Sequence, residues 1–268
     1  MSEKTKNITS LYTPLLVVLL IGAAFYIGRL SSQVSSLKGV PSAPPVAQQP
    51  SDTQPPTNPS VSAETIKGLF SQDLVKFGDA NKKLIFVEVS DPSCPYCHAA
   101  GGLNGKLNKE MGTQFTLVAD GGTYVAPVTE MKKLLDQKKI GYVWIYSNGH
   151  GNGEMAAKAL YCANEKGKFW DAHSLLFSAE GYDLINNKVK NDLSQAGTMS
   201  SFLSKAVDAN FMKGCLESDK YKDRLTADIS VAKSLGINGT PGFFINTTRF
   251  SGAVPFDSMK SVVDAALK

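Results

Sequence analysis

The chain has 268 residues, 43% of them hydrophobic and 19% charged, which suits one ordinary domain with a real core and some additional segments. Its formal charge of +4 comes from scattered lysines, with no basic run interleaved with aromatics, and this argues against a dedicated nucleic-acid surface. Four cysteines and three histidines confine any metal or redox centre to Cys94, Cys97, Cys162, Cys215, His98, His150 and His173.

Residues 7–28 carry no charge and centre on Leu15-Leu16-Val17-Val18-Leu19-Leu20-Ile21. Such a run can cross a hydrocarbon core of about 30 Å as a helix. It is expected to be an uncleaved signal anchor, a transmembrane helix within residues 1–30. The alternative is a secretory signal peptide cut after Ala24, giving a secreted or periplasmic protein. Either reading places the rest of the chain outside the cytoplasm. Residues 31–62 hold seven of the 13 prolines, mixed with Ser, Gln and Thr. That composition cannot bury enough apolar surface to offset its ordering entropy, so it reads as a disordered, semi-stiff linker. The folded domain is expected over residues 63–268.

In chain order, 84–89 is apolar and β-branched and reads as a buried strand. A helix is expected from Cys94, with Gly101, Gly102 and Gly105 opposing its continuation. Residues 115–119 read as a short strand, 128–138 as a helix and 142–146 as a strand. Residues 153–177 have helical spacing in two pieces broken near Gly167. Further helices are expected over 199–207 and 220–235. The strands 242–246 and 249–252 then form a hairpin, and a last helix covers 256–267. The pattern suits an α/β sheet with a helical subdomain inserted at about 150–235.

The chemistry centres on Cys94-Pro95-Tyr96-Cys97. A Cys-x-x-Cys at a strand-to-helix junction sets its first thiol at a helix N-terminus, where free backbone N–H groups favour the thiolate. The thiolate is the attacking species in disulfide exchange. Cys94 is therefore expected to be the exposed nucleophile and Cys97 the buried resolving residue. Pro95 suits the first helical turn, and Pro95, Tyr96 and His98 are expected to tune the redox balance. Three other readings remain open at this point. Cys94-x-x-Cys97-His98 also fits a c-type haem attachment pattern. A zinc site would need two more ligands, which Cys162 and Cys215 do not supply at finger spacing. A purely structural bridge would close too short a loop to add much stability.

Four blocks together resemble the DsbA-like thioredoxin-fold thiol–disulfide oxidoreductases of bacterial envelopes, including their membrane-tethered branch. The blocks are 86–98, 156–177, 215–221 and 235–246, the last containing Gly239-Thr240-Pro241. The resemblance implies a thioredoxin-like fold and assigns further roles. Thr240-Pro241 matches the cis-proline dipeptide that offers backbone groups to a bound peptide. Glu88, six residues before Cys94, matches a buried acid facing the resolving cysteine. Cys162 and Cys215 fall where some relatives carry a second, structural disulfide. No cofactor and no metal is implied. One departure stands out: about 25 extra residues near 101–124 follow the cysteine pair.

The expected function is extracytoplasmic oxidation of cysteine pairs in secreted proteins, with a quinone-linked membrane partner as reoxidant by resemblance. Isomerase or reductase activity is the alternative, as is a non-catalytic tethered peptide-binding module. Trp170 and His173 are expected to pack, and His150 to turn the chain.

Overall fold

The computed structural model describes residues 61–268. The anchor and nearly all of the linker expected from the sequence fall on residues 1–60, outside the described residues. Among the described residues, no helix is long and apolar enough to cross a membrane.

The strands β1 (Val75–Phe77), β2 (Leu84–Ser90), β3 (Ile140–Tyr146), β4 (Gly242–Ile245) and β5 (Thr248–Ser251) form one sheet in the order β1-β3-β2-β4-β5. β2 and β3 run parallel, and the remaining pairs are antiparallel. Outside the insertion, the helices are α1 (Ala63–Gly68), α2 (Pro95–Gly101), α3 (Gly105–Glu110) and α4 (Pro127–Asp136). The expected helical insertion lies between β3 and β4. It comprises α5 (Glu154–Glu165), α6 (Phe169–Leu176), α7 (Ala179–Asp183), α8 (Ala196–Phe202), α9 (Ala209–Glu217) and α10 (Lys222–Ser234). The chain ends in α11 (Phe256–Leu267).

β2 and β3 are buried at every position. Alternate residues of β2 face two separate cores. Ile85, Val87 and Val89 join α1 and the end of α10, whereas Leu84 and Phe86 join the larger core with Cys97, Met131 and Met259. A strand covered on both faces needs apolar side chains on both, which explains its unbroken apolar run. The period of two places Glu88 and Ser90 on the same face as Phe86, toward the cysteine pair.

Several sequence expectations need correction. Residues 115–119 are not a strand. They lie among 3-10 turns, Thr113–Phe115 and Val118–Asp120, with one isolated bridge between Leu117 and Tyr124. Their backbone groups bond locally, Tyr124 N–H to Thr116 O at 3.0 Å and Val118 N–H to Tyr124 O at 3.2 Å, so no sheet edge is needed. β1, α3 and α9 were not anticipated, and α8 starts at Ala196 rather than Met199.

Cys162 of α5 and Cys215 of α9 are joined by a disulfide across a sequence separation of 53. The chain-entropy cost that such a loop removes from the unfolded state is roughly 4 kcal/mol. The double variant Cys162→Ser/Cys215→Ser is therefore expected to lose about that much stability in chemical denaturation. A loss below about 1 kcal/mol would contradict that account.

Candidate active site

β2 ends in the turn Asp91-Pro92-Ser93, and that turn sets the position of Cys94. Asp91 is fully buried. Its Oδ1 accepts the Ser93 N–H at 2.8 Å and the Ser93 hydroxyl at 2.7 Å, and its Oδ2 accepts the His150 N–H at 2.7 Å. Asn186 of the insertion donates to Ser93 O at 3.2 Å. The turn is thus tied down from two other parts of the fold. Cys94 is the N-cap of α2, with Pro95 in its first turn. The helix stops at Gly102, whose φ of 70° is left-handed. A Cβ there would lie 2.4 Å from that of Ala126, so glycine is required on both counts.

The two thiols are pushed in opposite directions. The Cys94 thiol falls from an ordinary 9.0 to about 6, chiefly because the Cys97 thiol donates a hydrogen bond to it. The Thr240 side chain and the backbone N–H groups of Cys97 and Tyr96 add to this, against the cost of burial. Cys97 is held well above its ordinary value, first by burial and then by its donation to Cys94 and the negative charge there. A depressed thiol favours the folded dithiol form above the unfolded value, and that gain disappears as pH falls through about 6. Cys94 is less accessible than the sequence reading implied. Only 5% of it is exposed, against none of Cys97, because the Thr240 region covers it. Cys94 Sγ lies 3.5 Å from Thr240 O.

The Thr240-Pro241 peptide bond is cis. The Thr240 hydroxyl is buried and without another partner, so it can turn its proton to the Cys94 sulfur as charge develops. Gly149 packs against it, and a Cβ on Gly149 would lie 1.9 Å from Thr240 Oγ1.

Glu88 is buried and its pKa is raised to about 7, mainly by desolvation. The Tyr142 hydroxyl donates to Glu88 Oε2, and Ser90 also favours the charged form. No direct hydrogen bond joins Glu88 to Cys97. Instead, Ser90 is fully buried and favours the charged forms of both Glu88 and Cys97. Its hydroxyl has no full hydrogen bond of its own. The Asp91 N–H, next in the chain, donates to Cys97 Sγ at 3.4 Å.

His98 does not approach a sulfur. Its ring nitrogens face Pro92 O at 2.8 Å and Phe177 O at 3.2 Å, and burial lowers its pKa to about 4. The neutral ring carries one N–H, and the shorter contact to Pro92 O is the natural place for it. His98 therefore braces the turn before Cys94 and acts on the thiols at one remove. Tyr96 is the opposite case, 49% exposed between the cysteines. His173 packs between Phe169 and Phe177, as the sequence reading held, and Trp170 packs beside it.

The sequence reading missed Ser90, Asp91, Ser93, Gly149 and Asn186. A signal was present for the turn, because Asp-Pro-Ser before a helix is an Asx-turn pattern. No local signal marks Asn186, which reaches Ser93 across 93 positions.

Two measurements follow. Alkylation of the reduced protein by iodoacetamide is expected to switch on at Cys94 with a midpoint near pH 6, leaving Cys97 unmodified; a midpoint near 9 would contradict the geometry. For Glu88, the folded pKa lies above the unfolded one. Its contribution to stability is complete below about 4.5 and is lost as pH rises through about 7. Glu88→Gln is accordingly expected to stabilise the protein at pH 8 by up to roughly 3 kcal/mol, and not at pH 4. Equal effects at both pH values would show that the carboxylate is not the cause.

A protein-family model described as Thioredoxin matches residues 129–265, just over half of the chain. A putative protein-disulfide oxidoreductase of Rickettsia conorii is 24% identical over 217 residues, covering 81% of this chain and 68% of the relative. A Na(+)/H(+) antiporter, NhaA 3 of Salinispora tropica, is 24% identical over 196 residues, covering 70% of this chain. The chain spans only 24% of that antiporter's length. Among solved structures, alpha-DsbA1 of Wolbachia pipientis shares the fold with a TM-score of 0.52 at 19% identity, covering 73% of this chain and 91% of that one. Oxidised BdbD of Bacillus subtilis gives 0.52 at 16%, covering 72% and 92%. The chain belongs to the thioredoxin family, and it shares its fold with alpha-DsbA1 and BdbD.

Proposed function

We propose that the chain oxidises cysteine pairs of secreted proteins through a Cys94–Cys97 disulfide. The observation that carries this reading is the opposite displacement of the two thiols. A substrate thiolate attacks Cys94 Sγ, and the Cys94–Cys97 bond breaks. Cys97 leaves with the electron pair and takes a proton, as its raised pKa demands. Glu88, protonated for half its population near pH 7, is the nearby proton source, with the Ser90 hydroxyl beside both groups. The second substrate thiolate then attacks the substrate sulfur of the mixed disulfide. Cys94 departs as a stabilised thiolate, and low-pKa thiols leave fastest.

The same charge sets the direction of electron flow. At pH 7 a thiol of pKa about 6 is about ten parts thiolate to one, which favours the reduced enzyme by about 1.4 kcal/mol, or roughly 30 mV. This supports oxidation of substrates over reduction. Thr240 and Pro241 line the substrate side of Cys94 and present backbone groups to an extended peptide. Pro95 starts the helix whose N–H groups face the thiolate, Tyr96 adds its backbone N–H to that set and presents its ring to solvent, and Cys162–Cys215 holds the insertion together.

An extracytoplasmic location agrees with an oxidising compartment. The uncharged run at residues 7–28 and the proline-rich stretch after it support a single-pass anchor and tether at the cell membrane. A quinone-linked membrane protein would then restore the disulfide.

The deciding measurement is the reduction potential. A value well above thioredoxin's roughly −270 mV, toward the approximately −120 mV of a strong oxidant, is expected. A value at the thioredoxin end would overturn the oxidase direction. Substrates should be trapped as mixed disulfides on Cys97→Ala, with Cys94 as the attachment point.

A further inference from the structure

Large apolar side chains are mostly hidden in this fold. Among the described residues four are clearly exposed: Tyr96, Leu103, Val118 and Leu193. Three of the four fall between positions 96 and 118, on the redox motif and the extra segment that follows it. Of these, Tyr96 packs against an apolar side chain of the extra segment, Phe115.

The extra segment is built against the redox helix. Asn108 is fully buried, and its Nδ2 donates to Ala99 O of α2 at 3.3 Å and to Phe115 O at 3.0 Å. Thr129 donates to Gly101 O at 2.7 Å. The Tyr124 hydroxyl donates to Ala253 O at 3.1 Å, and the Phe256 N–H donates to Val125 O at 2.8 Å. These bonds fix the segment from both ends.

An aromatic ladder runs outward through it. Tyr124 is buried and packs edge-on against the half-buried Phe115 at 5.7 Å. Phe115 in turn packs edge-on against the exposed Tyr96 at 5.8 Å. Tyr96 is the third residue of Cys94-Pro95-Tyr96-Cys97, so the ladder ends on an exposed side chain of the redox motif. Cys94 is covered on another side by Thr240, 3.5 Å away. A polypeptide that brings a sulfur to Cys94 meets the redox motif there, and the apolar surface that this motif presents is Tyr96 with Phe115 behind it.

We propose that Tyr96 of the redox helix and Phe115 of the segment after it form a subsite that selects extended polypeptides with an aromatic or large aliphatic side chain next to the reacting cysteine. The inference rests on the proposed thiol chemistry of Cys94 and adds the substrate class. Such cysteines belong to unfolded chains, whose apolar side chains are not yet buried. The nearby charges do not compete for the role. Lys109 pairs with Asp120 and Lys106 with Glu110, leaving the surface without a net sign to attract a charged peptide. Tyr96 and Phe115 are positioning residues here and take no part in electron transfer.

The test uses the full chain in its oxidised form and two synthetic peptides. Each peptide has two cysteines, and they differ only in Phe or Ser beside the first. One two-electron exchange reduces Cys94–Cys97 and closes the peptide disulfide. The Phe peptide is expected to react about fivefold faster, the order of one aromatic contact. Phe115→Ala should bring the ratio of the two rates close to one. Tyr96→Ser, at a side chain 49% exposed and therefore safe for folding, should lower the ratio as well. Equal rates for both peptides on the unaltered chain, or a full preference retained in both variants, would overturn the proposal. Concentration-dependent self-association abolished by Tyr96→Ser would assign the surface to a second copy and overturn it as well. Dithiothreitol separates the two layers of argument. If it fails to reduce Cys94–Cys97, the oxidoreductase reading itself fails; if it succeeds and the peptide ratio is one, only the subsite does.

Discussion

The Cys94 sulfur lies where a strand buried on both faces gives way to a helix, and its charge depends on that junction. β2 delivers the chain to the edge of the core with no freedom left in its path. The Asp91 carboxylate then fixes the turn by accepting three hydrogen bonds, two from Ser93 and one from the loop at His150. Only after that turn do the backbone N–H groups of Tyr96 and Cys97 point at the sulfur. A negative sulfur beside a neutral one follows from this arrangement. The Cys97 thiol keeps its proton because it is buried, and by donating that proton it stabilises the charge on Cys94.

Buried polar groups surround this pair at graded distance. Glu88 sits on the same strand face as the cysteines, two positions before Ser90, and burial keeps it half protonated near neutral pH. An acid poised in that range can give or take a proton during exchange, which a carboxylate of ordinary pKa cannot do as readily. His98, despite its place beside Cys97, spends its ring nitrogens on two backbone carbonyls. Its stacking on Phe177, which also stacks on His173, links the turn to the helical insertion. The insertion is thereby part of the site's frame, through Phe177, Asn186 and the 147–153 loop, as well as a cover over the sheet.

The legible parts of the fold share a physical cause. β2 and β3 are buried on both faces, so their runs of apolar and aromatic residues are visible without knowing the partner. α11 shows because its amphipathic period is clean, and α2 because a proline opens it and a glycine closes it. The misread segment at 115–119 is apolar enough for a strand but has no neighbour to pair with, and local turns satisfy its backbone. β1 has three residues and α9 mixes small, aromatic and charged positions, so neither carries a period long enough to stand out. Within the site, Cys94 and Cys97 were legible because they form a short pattern at a strand-to-helix junction, and Glu88 and Thr240-Pro241 were legible through the family resemblance. Asp91, Gly149 and Asn186 were not, since their meaning lies in partners 59 to 93 positions away or across a packed surface.

By itself the sequence determined the local chemistry: two thiols one helical turn apart at the end of a buried strand, with Glu88 marked as a buried acid only through the family resemblance. The thiol pair and its strand are properties of residue type and spacing, and they need no tertiary contact to be stated. The tertiary structure alone decided how that chemistry is biased. It buried Cys97 more completely than Cys94 and set Thr240 against the sulfur. It turned His98 away and laid Phe115 beside Tyr96. Each of these depends on which surfaces meet, and a pKa or an exposed patch follows from the solvent and dipoles excluded or admitted at that meeting.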